Sequence, residues 1–190
     1  FESNLAIPLA NWIRAMNSLL PPDIRIIAIE EVSPDFHARF DCLWKEYRYF
    51  IYTGKVADPF RRLYSYHYPF PLSLSSIREA CQLLIGTHDF SAFSSAGTEV
   101  KNKVRTIYHL DCQRREEELV FTIKGDGFLY NMVRIIVGTL LEIGEGRKDL
   151  QAVQLALSTG NRQHLGRTAP AHGLFLWKVE YKDKENSLTE

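Results

Sequence analysis

The apolar run from residue 128 to 143 constrains the fold of this chain more than any other stretch of it. Arg134 and Glu142 are its only formally charged residues, and its large apolar residues recur at helical spacing, as Met132, Val133, Ile136, Val137 and Leu140. This pattern predicts a helix inside the protein. Because arginine keeps its proton when buried, we expect a carboxylate or a phosphate to meet Arg134. A structural ion pair, or a stem that reaches the surface, is the alternative to a catalytic role.

The other hydrophobic patterns predict an α+β fold. Three further helices are predicted, at 9–20, 75–86 and 150–158. Five strands are predicted from β-branched or alternating residues, at 24–32, 43–52, 103–113, 118–125 and 173–181. The charged turn between the third and fourth strands predicts a hairpin. The mixed order of helices and strands favours a largely antiparallel sheet.

The balance of charge limits what the chain can attract over a long range. Its 23 basic and 23 acidic side chains cancel, so a surface for nucleic acid must come from local clusters of lysine and arginine. No apolar run reaches about 18 residues, so no membrane span is predicted. Cys42, Cys81 and Cys112 are too widely spaced to predict a metal site, and no phosphate-binding or dinucleotide motif predicts a nucleotide cofactor.

Basic and aromatic residues are interleaved along the chain. The basic residues are Lys45, Arg48, Lys55, Arg61, Arg62, Lys101, Lys103 and Arg105. The aromatic residues among them are Trp44, Tyr47, Tyr64, Tyr66 and Tyr68. Such a mixture is typical of surfaces for single-stranded or distorted RNA, because cations pair with phosphates and bases stack on rings. An ordinary solvated face is the competing explanation.

Two loops carry further candidate groups. His88 and Asp89 stand side by side in the loop predicted at 88–99, where they could serve as an acid and a base. A local turn stabilised by the aspartate is the more frequent arrangement. Arg167 and His172 lie in a loop that we interpret as the lead-in to the last strand.

Seven stretches, in the same order along the chain, resemble the TruA-type tRNA pseudouridine synthases. They are LPPDIRI at 20–26, DFHARFD at 35–41, KEYRY at 45–49, GTHDFSAF at 86–93, VRTI at 104–107, GFLYNMVRIIVGTLLEIG at 127–144 and APAHGLFLWKV at 169–179. One stretch alone would be a weak indication. Because seven occur in order, with the M-V-R helix and the K-x-Y-R-Y strand among them, the chain is identified as a member of this family.

The resemblance implies the pseudouridine synthase fold, an α+β architecture with a largely antiparallel sheet and helices packed on one face. It implies an enzyme that isomerises uridine to pseudouridine in the anticodon stem-loop of tRNA. In that reaction the bond from ribose to N1 breaks, the uracil turns, and carbon 5 is joined to the ribose. The resemblance also implies a cytoplasmic homodimer that binds tRNA, without a membrane, metal, nucleotide or organic cofactor.

The resemblance also assigns roles to particular residues. Arg134 resembles the arginine that pairs with the catalytic aspartate. Tyr47 resembles the tyrosine that packs on the target base and helps with its proton chemistry, and Leu174 resembles the apolar residue under that base. The basic residues expected to bind tRNA are Lys45, Arg48, Arg61, Arg62, Lys101, Lys103 and Arg105.

The chain departs from the family at the aspartate itself. The family's aspartate lies in a G-R-T-D-A-G-V-H loop, whereas the only G-R-T here, at 166–168, is followed by Ala169, which has no carboxylate. We therefore expect the aspartate to lie before Phe1 in a longer protein, and this chain to be inactive alone. Residues 1–35 would be the tail of the N-terminal lobe and residues 36–190 the C-terminal lobe.

Two other functions stay open at the level of sequence. Because the chain lacks that aspartate, it could be an RNA-binding module without catalysis. A small-molecule enzyme that uses His88 and Asp89 is the weaker alternative, since no cofactor or metal motif supports it.

Overall fold

The structure is a computed structural model, and it describes residues 1–95, 97 and 100–181. Three residues of the loop predicted at 88–99 lie outside the described part, namely 96, 98 and 99. The described chain forms two compact units that divide after residue 40. The predicted division into lobes after residue 35 stays a prediction.

The first compact unit, Phe1–Phe40, is described throughout and contains one helix. Helix α1 spans Leu9–Leu19 and follows Pro8, as the sequence predicts. Its last turn closes with a hydrogen bond from the Leu20 N–H to the Met16 carbonyl at 3.1 Å. Extended chain then follows the helix.

The prediction of a strand at 24–32 is wrong. Within the described residues, this segment pairs with no strand. The side chain of Asn17 instead meets both backbone groups of Ile26, since its Nδ2 donates to the carbonyl and its Oδ1 accepts from the N–H, each at 2.8 Å. At Ile26, a side chain of α1 therefore supplies the hydrogen bonds that a neighbouring strand could have supplied.

The second compact unit begins at Asp41, and its described residues build a six-stranded sheet. The strands are β1 (Cys42–Tyr52), β2 (Tyr66–His67), β3 (Gly86–Asp89), β4 (Val104–Arg115), β5 (Glu118–Gly125) and β6 (Leu174–Tyr181). Their order is β2-β1-β5-β4-β3, with β6 beside β1, and every pairing is antiparallel except that of β1 with β2. The predicted α+β class with a largely antiparallel sheet is confirmed.

The local predictions for the middle of the sheet are partly right. The hairpin of β4 and β5 is confirmed, with a short turn after Arg115. The segment 86–89 was expected as a helix end followed by a loop, but it pairs with β4, where His88 lies opposite Arg105. Gly86 has φ 109°, a conformation that favours glycine and lets the chain leave the helix and enter a strand directly.

The described part of the second unit also contains three α-helices, namely α2 (Leu74–Leu84), α3 (Met132–Gly144) and α4 (Leu150–Thr159). The Ser73 side chain caps α2 by accepting from the Ser76 N–H at 3.3 Å. Asp149 caps α4 by accepting from the Ala152 N–H at 3.1 Å. The helices predicted for these two segments are confirmed. None of the described helices is long and apolar enough to cross a membrane.

Helix α3 begins later than the predicted start at residue 128. The residue before it, Asn131, has a left-handed backbone with φ 62° and ψ 5°. This conformation interrupts a right-handed helix, and asparagine adopts it more readily than most residues. Residues 127–131 therefore form a separate lead-in, and Arg134 stands in the first turn of the helix instead of its middle.

Helices α2 and α3 pack over one face of the sheet. The buried face of the two central strands is built from Tyr49, Ile51, Leu119, Phe121 and Ile123. The residues that alternate with them on β5 are only partly buried, because they point to the less covered face. The predicted packing of helices on one face is confirmed for these two helices.

Candidate active site

Arg134 is half-buried at the start of α3, where neutral groups hold it. Its Nε donates to the carbonyl of Ala169 at 2.7 Å, and its Nη1 donates to Oδ1 of Asn131 at 2.9 Å. Among residues 1–95, 97 and 100–181, no carboxylate oxygen lies within 4.0 Å of its nitrogens. Instead of the expected carboxylate or phosphate, two uncharged oxygens meet the guanidinium, so its positive charge is not compensated by the described residues.

The guanidinium keeps donors for a further partner. Arginine carries five N–H groups in a planar fork, and the two acceptors of Arg134 leave three of them unused by the described residues, one on Nη1 and two on Nη2. Parallel N–H groups of such a fork match the two oxygens of a carboxylate. The arrangement is therefore suited to bind an anion.

The loop from 166 to 170 is held against α3 by two polar side chains of that helix. Oγ1 of Thr139 accepts from the Gly166 N–H at 3.0 Å, and Oε1 of Glu142 accepts from the Arg167 N–H at 2.9 Å. Glu142 is the other charged residue of the apolar run. It is bonded to the loop and not to the arginine.

Ala169 is hydrogen-bonded to Arg134 in both directions. Its carbonyl accepts from Nε, and its N–H donates to the Arg134 carbonyl at 3.0 Å. This close approach of loop and helix requires Gly138, because a Cβ there would stand 1.8 Å from the carbonyl oxygen of Arg167. Ala169 therefore joins the loop to Arg134 through its backbone alone.

Tyr47 lies on the helix-facing side of β1, two residues before the fully buried Tyr49. Its ring meets Phe128 edge-on, with centroids 5.1 Å apart and an interplanar angle of 86°. Desolvation raises the pKa of Tyr47, so its hydroxyl stays protonated at neutral pH. Tyr49 donates to the Pro170 carbonyl at 2.7 Å, whereas the Tyr47 hydroxyl has no hydrogen-bond partner in the described part of the chain. Of these two tyrosines, Tyr47 is therefore the one whose hydroxyl is free to bond a ligand.

Tyr49 is the residue around which the predicted site residues gather. Tyr49 and Arg134 donate to successive backbone carbonyls, those of Pro170 and Ala169. Burial raises the pKa of Tyr49, and the charge of Arg134 acts in the opposite direction. In the β1–β6 ladder, Leu174 lies opposite Tyr49 and Leu176 lies opposite Tyr47. The structure thus places Arg134 and Leu174 each near Tyr49, two residues along β1 from Tyr47.

The cations expected to bind tRNA divide into two groups. The first, called here the Lys101 group, consists of Lys45, Lys101, Lys103 and Arg105. In the β1–β5 ladder Lys45 pairs with Gly125, the last residue of β5, and Arg105 is near the start of β4 at the same end of the sheet. None of the four forms an ion pair with a described carboxylate, so their charges are available to phosphate.

The second group, called the Arg61 group, consists of Arg48, Arg61 and Arg62. Arg61 lies 2.9 Å from a carboxylate oxygen of Glu118 and 3.4 Å from one of Asp58, so its charge is compensated. Glu118 begins β5 and Gly125 ends it. At about 3.3 Å per residue, Glu118, which meets Arg61, and Gly125, which pairs with Lys45, are separated along the strand by roughly 23 Å.

Arg48 faces away from the tyrosine. It alternates with Tyr47 along β1 and therefore projects from the other face of the sheet. Its Nε lies 2.9 Å from Oε1 of Glu46, and its guanidinium carbon lies 4.2 Å from the ring centroid of Trp177. The structure does not bring Arg48 to the site, and the contacts of all these cations with tRNA stay predictions.

His88 and Asp89 each have a local partner and do not form an acid and base pair. Nε2 of His88 lies 3.1 Å from the Ile85 carbonyl oxygen. Oδ1 of Asp89 accepts from the Ser91 N–H and hydroxyl at 2.8 and 2.6 Å, and these bonds lower the pKa of Asp89. The local turn expected as the more frequent arrangement is the one observed. No group of three metal-ligating side chains in the described residues is placed to hold a metal ion.

Sequence reasoning missed both groups that hold Arg134. Asn131 carries a usable signal, because an asparagine three residues before an arginine at a helix start can reach it from the same face. The Ala169 carbonyl carries none, since every residue has a carbonyl and only the folded loop selects this one.

Known proteins resemble this chain along nearly its whole length. A family model described as tRNA pseudouridine synthase matches residues 80–182, more than half of the chain. The tRNA pseudouridine synthase A 1 of Bacillus cereus is 49% identical over 183 residues, which are 96% of this chain and 74% of that protein. The tRNA pseudouridine synthase A of Bacillus subtilis is 50% identical over 181 residues, or 95% of this chain and 73% of that protein.

One solved structure, a Cbf5-Nop10-Gar1 complex, is related only distantly. It aligns with a TM-score of 0.31 and 16% identity, over 55% of this chain and 28% of that chain, which is too little to bear on the fold. The two Bacillus relatives and the family model agree with the family that the sequence motifs indicate. The chain therefore belongs to the tRNA pseudouridine synthase family.

Proposed function

We propose that this chain carries part of the active site of an enzyme that converts uridine to pseudouridine in tRNA. The observation that carries the proposal is the guanidinium of Arg134, which two neutral acceptors fix and which no described carboxylate meets. A cation held in this way is preorganised to bind an anionic group that takes part in the reaction. The names of the relatives support the choice of reaction, since both are tRNA pseudouridine synthases.

The proposed anion is an aspartate supplied by residues outside this sequence. The described residues offer Arg134 no carboxylate, and the match with the Bacillus cereus protein covers 74% of that protein, so part of the relative has no counterpart here. Two N–H groups of a guanidinium can bind both oxygens of a carboxylate. Such a pair orients the aspartate and lowers its pKa, which keeps it ionised in a partly desolvated site.

The proposed reaction is an isomerisation, so its atoms and electrons balance without a co-reactant. The bond between N1 of the uracil and C1′ of the ribose breaks, and the detached uracil turns. Its C5 then bonds to C1′, the proton on C5 leaves, and N1 takes up a proton. The aspartate acts either on the ribose as a nucleophile or as a base. Tyr47, whose hydroxyl is protonated and has no partner among the described residues, is the group that we propose to exchange a proton with the base.

Tyr47 and Leu174 are the proposed contacts of the extruded uracil. The edge-on contact with Phe128 fixes the Tyr47 ring, and the ladder position of Leu174 opposite Tyr49 brings an apolar side chain to the same face. Taking a base out of a stem costs a few kcal/mol, and aromatic packing with phosphate contacts can offset this cost. An aromatic ring beside an apolar side chain suits a planar base.

The remaining parts of the proposal concern the setting of the reaction. The substrate is the anticodon stem-loop of tRNA, and the enzyme acts as a homodimer in the cytoplasm. The names of the family and the relatives support tRNA as the substrate, and the resemblance read from the sequence implies the rest. Sedimentation of the complete protein, with and without tRNA, measures the oligomeric state.

Release of tritium tests the proposed function. The complete protein is mixed with a tRNA transcript labelled at C5 of its uridines, and the tritium lost to water is counted beside the binding of the same tRNA. We expect release that depends on enzyme concentration. Binding without release would contradict an isomerase and favour the alternative, a non-catalytic RNA-binding module.

We expect Tyr47→Phe in the complete protein to bind tRNA almost as well as the wild type and to release tritium on the order of 100-fold more slowly. The ring and its contact with Phe128 survive the substitution, and only the open hydroxyl is lost. Single-turnover release measures the effect. Tyr108→Phe is the matched control, because Tyr108 is a strand tyrosine that is 51% exposed. Equal rates for wild type and Tyr47→Phe would remove the hydroxyl from the mechanism.

We expect the two groups of cations to differ in the salt dependence of tRNA binding. Replacing both Lys101 and Lys103 by glutamine should lower the slope of log affinity against log salt by roughly one unit for each lost phosphate contact. Replacing Arg61 and Arg62 should change the slope less, because two carboxylates already compensate Arg61. Filter binding at several salt concentrations measures both. A larger change of slope for the Arg61 and Arg62 variant than for the Lys101 and Lys103 variant would place the tRNA at the other end of the sheet.

A further inference from the structure

We propose that Asn131 is a positioning residue of this reaction, which holds the guanidinium of Arg134 in place without neutralising it. The inference rests on the proposed function. Nη1 of Arg134 donates to Oδ1 of Asn131 at 2.9 Å, and Nδ2 of Asn131 donates to Oγ of Ser95 at 2.9 Å. One amide therefore links the arginine to a second segment of the chain.

The chemistry of the partners fixes which way the amide points. Arginine has only donors, so the oxygen of the Asn131 amide must face Arg134. The NH₂ group then faces Ser95, whose hydroxyl can accept. A reversed amide would set donor against donor at the arginine. The bridge therefore has one stable orientation.

The anchor at Ser95 is itself held by the backbone. The Ser95 N–H donates to the Tyr130 carbonyl at 3.1 Å, so the loop of Ser95 is fastened to the lead-in of α3 beside Asn131. The Ile135 N–H donates to the Asn131 carbonyl at 2.9 Å, which fastens the same residue to the helix. Backbone and side chain of Asn131 are thus both fixed, and a fixed acceptor limits how far the guanidinium can turn.

Position 131 makes three demands that few residues meet together. Its φ of 62° favours glycine, asparagine and aspartate. Its side chain must accept from Arg134 and reach Ser95, which excludes glycine. It must also be neutral, because a carboxylate there would pair with the arginine and compete with the aspartate of the reaction. Asparagine satisfies all three.

The first measurement uses Asn131→Gly in the complete protein. Glycine keeps the left-handed backbone and removes both hydrogen bonds of the side chain. We expect the rate of the chemical step to fall by about 10- to 100-fold, with the KM for tRNA within about twofold of the wild type, because an interaction that orients a reacting group acts mainly on kcat. Unfolding midpoints measured in parallel separate this loss from a loss of folded protein.

The second measurement asks whether Asn131 acts through Arg134. Asn131→Gly is introduced into a protein that already carries Arg134→Lys, where the planar fork is gone. We expect the second substitution to change the rate less than about twofold there, since coupled residues are not additive. A purely structural role predicts the same 10- to 100-fold loss in both backgrounds, and that result would overturn the proposal.

A charged replacement gives an independent check. Asn131→Asp keeps the tolerated backbone and an acceptor for Arg134 but adds a negative charge. We expect it to be slower than Asn131→Gly, because the new carboxylate occupies the guanidinium. A faster Asn131→Asp would contradict the need for a neutral acceptor. If the wild-type protein releases no tritium, the proposed function itself is wrong. If the wild type is active but the effects of the Asn131 and Arg134 substitutions are additive, only the role of Asn131 is wrong.

Discussion

Replacing Arg134 by methionine in the complete protein should lower the rate of pseudouridine formation on the order of 10³-fold while the protein stays folded. The aspartate of the reaction would lose the cation that orients it and holds its pKa low. Methionine keeps the length and the apolar stem, so α3 should still pack. The rate is measured by single-turnover tritium release at saturating enzyme.

The structure also predicts the effect of this substitution on stability. The Ala169 carbonyl and Oδ1 of Asn131 would each lose the donor that now meets them. Because the site is half-buried, water can replace part of that loss, and we expect about 1–2 kcal/mol less free energy of unfolding. Arg78→Met is a suitable control, since Nε of Arg78 also donates to a backbone carbonyl, that of Cys112 at 3.2 Å. It should be mildly destabilised and fully active.

Lysine at the same position separates charge from geometry. Arg134→Lys retains the positive charge but has no planar fork, so it should recover only part of the lost rate. In the methionine variant, the unpaired aspartate should have a higher pKa, and the acidic limb of the pH–rate profile should move to higher pH. An enzyme that stays fast with methionine would show that Arg134 has another role.

The parts of the fold that were predictable carry repeated, local signals. The hairpin of β4 and β5 and the helix α4 have long alternating or helical patterns, and both are present as expected. The segment 24–32 has an equally clear β-branched pattern, but it pairs with no described strand, and the backbone of Ile26 bonds to the side chain of Asn17. A strand depends on a neighbour, and a pattern within one segment contains no information about that neighbour.

The candidate site also has a part that could be predicted from the sequence and a part that could not. Tyr47 and Arg134 could be singled out because their motifs resemble those of a family, and the structure brings them to one side of the sheet. The partners of Arg134 could not be inferred from that motif. A backbone carbonyl 35 residues away is selected by how the loop packs on α3, and this packing depends on the absence of a side chain at Gly138.

Replacing Gly138 by alanine should therefore be among the most damaging single changes in this chain. Alanine in a helix interior is favoured over glycine by roughly 1 kcal/mol, but its Cβ would stand 1.8 Å from the Arg167 carbonyl oxygen and 3.2 Å from the Ala169 nitrogen. Backbone cannot yield as a flexible side chain does, so loop and helix must separate. We expect a net loss of about 2–3 kcal/mol in the free energy of unfolding, measured by chemical denaturation.

Gly138→Ala should also lower the rate of the reaction. When the loop moves away from α3, the Ala169 carbonyl moves away from Nε of Arg134, and the guanidinium loses one of its two fixed acceptors. Gly144→Ala is the matched control in the same helix, because its Cβ would meet side-chain carbons of Ile77 at 2.7 and 2.9 Å and lies about 15 Å along the axis from Arg134. Both variants should be less stable, but only Gly138→Ala should slow tritium release under conditions where the protein is fully folded. If both variants release tritium at the wild-type rate, the loop does not position the arginine, and Ala169 is only a neighbour of the site.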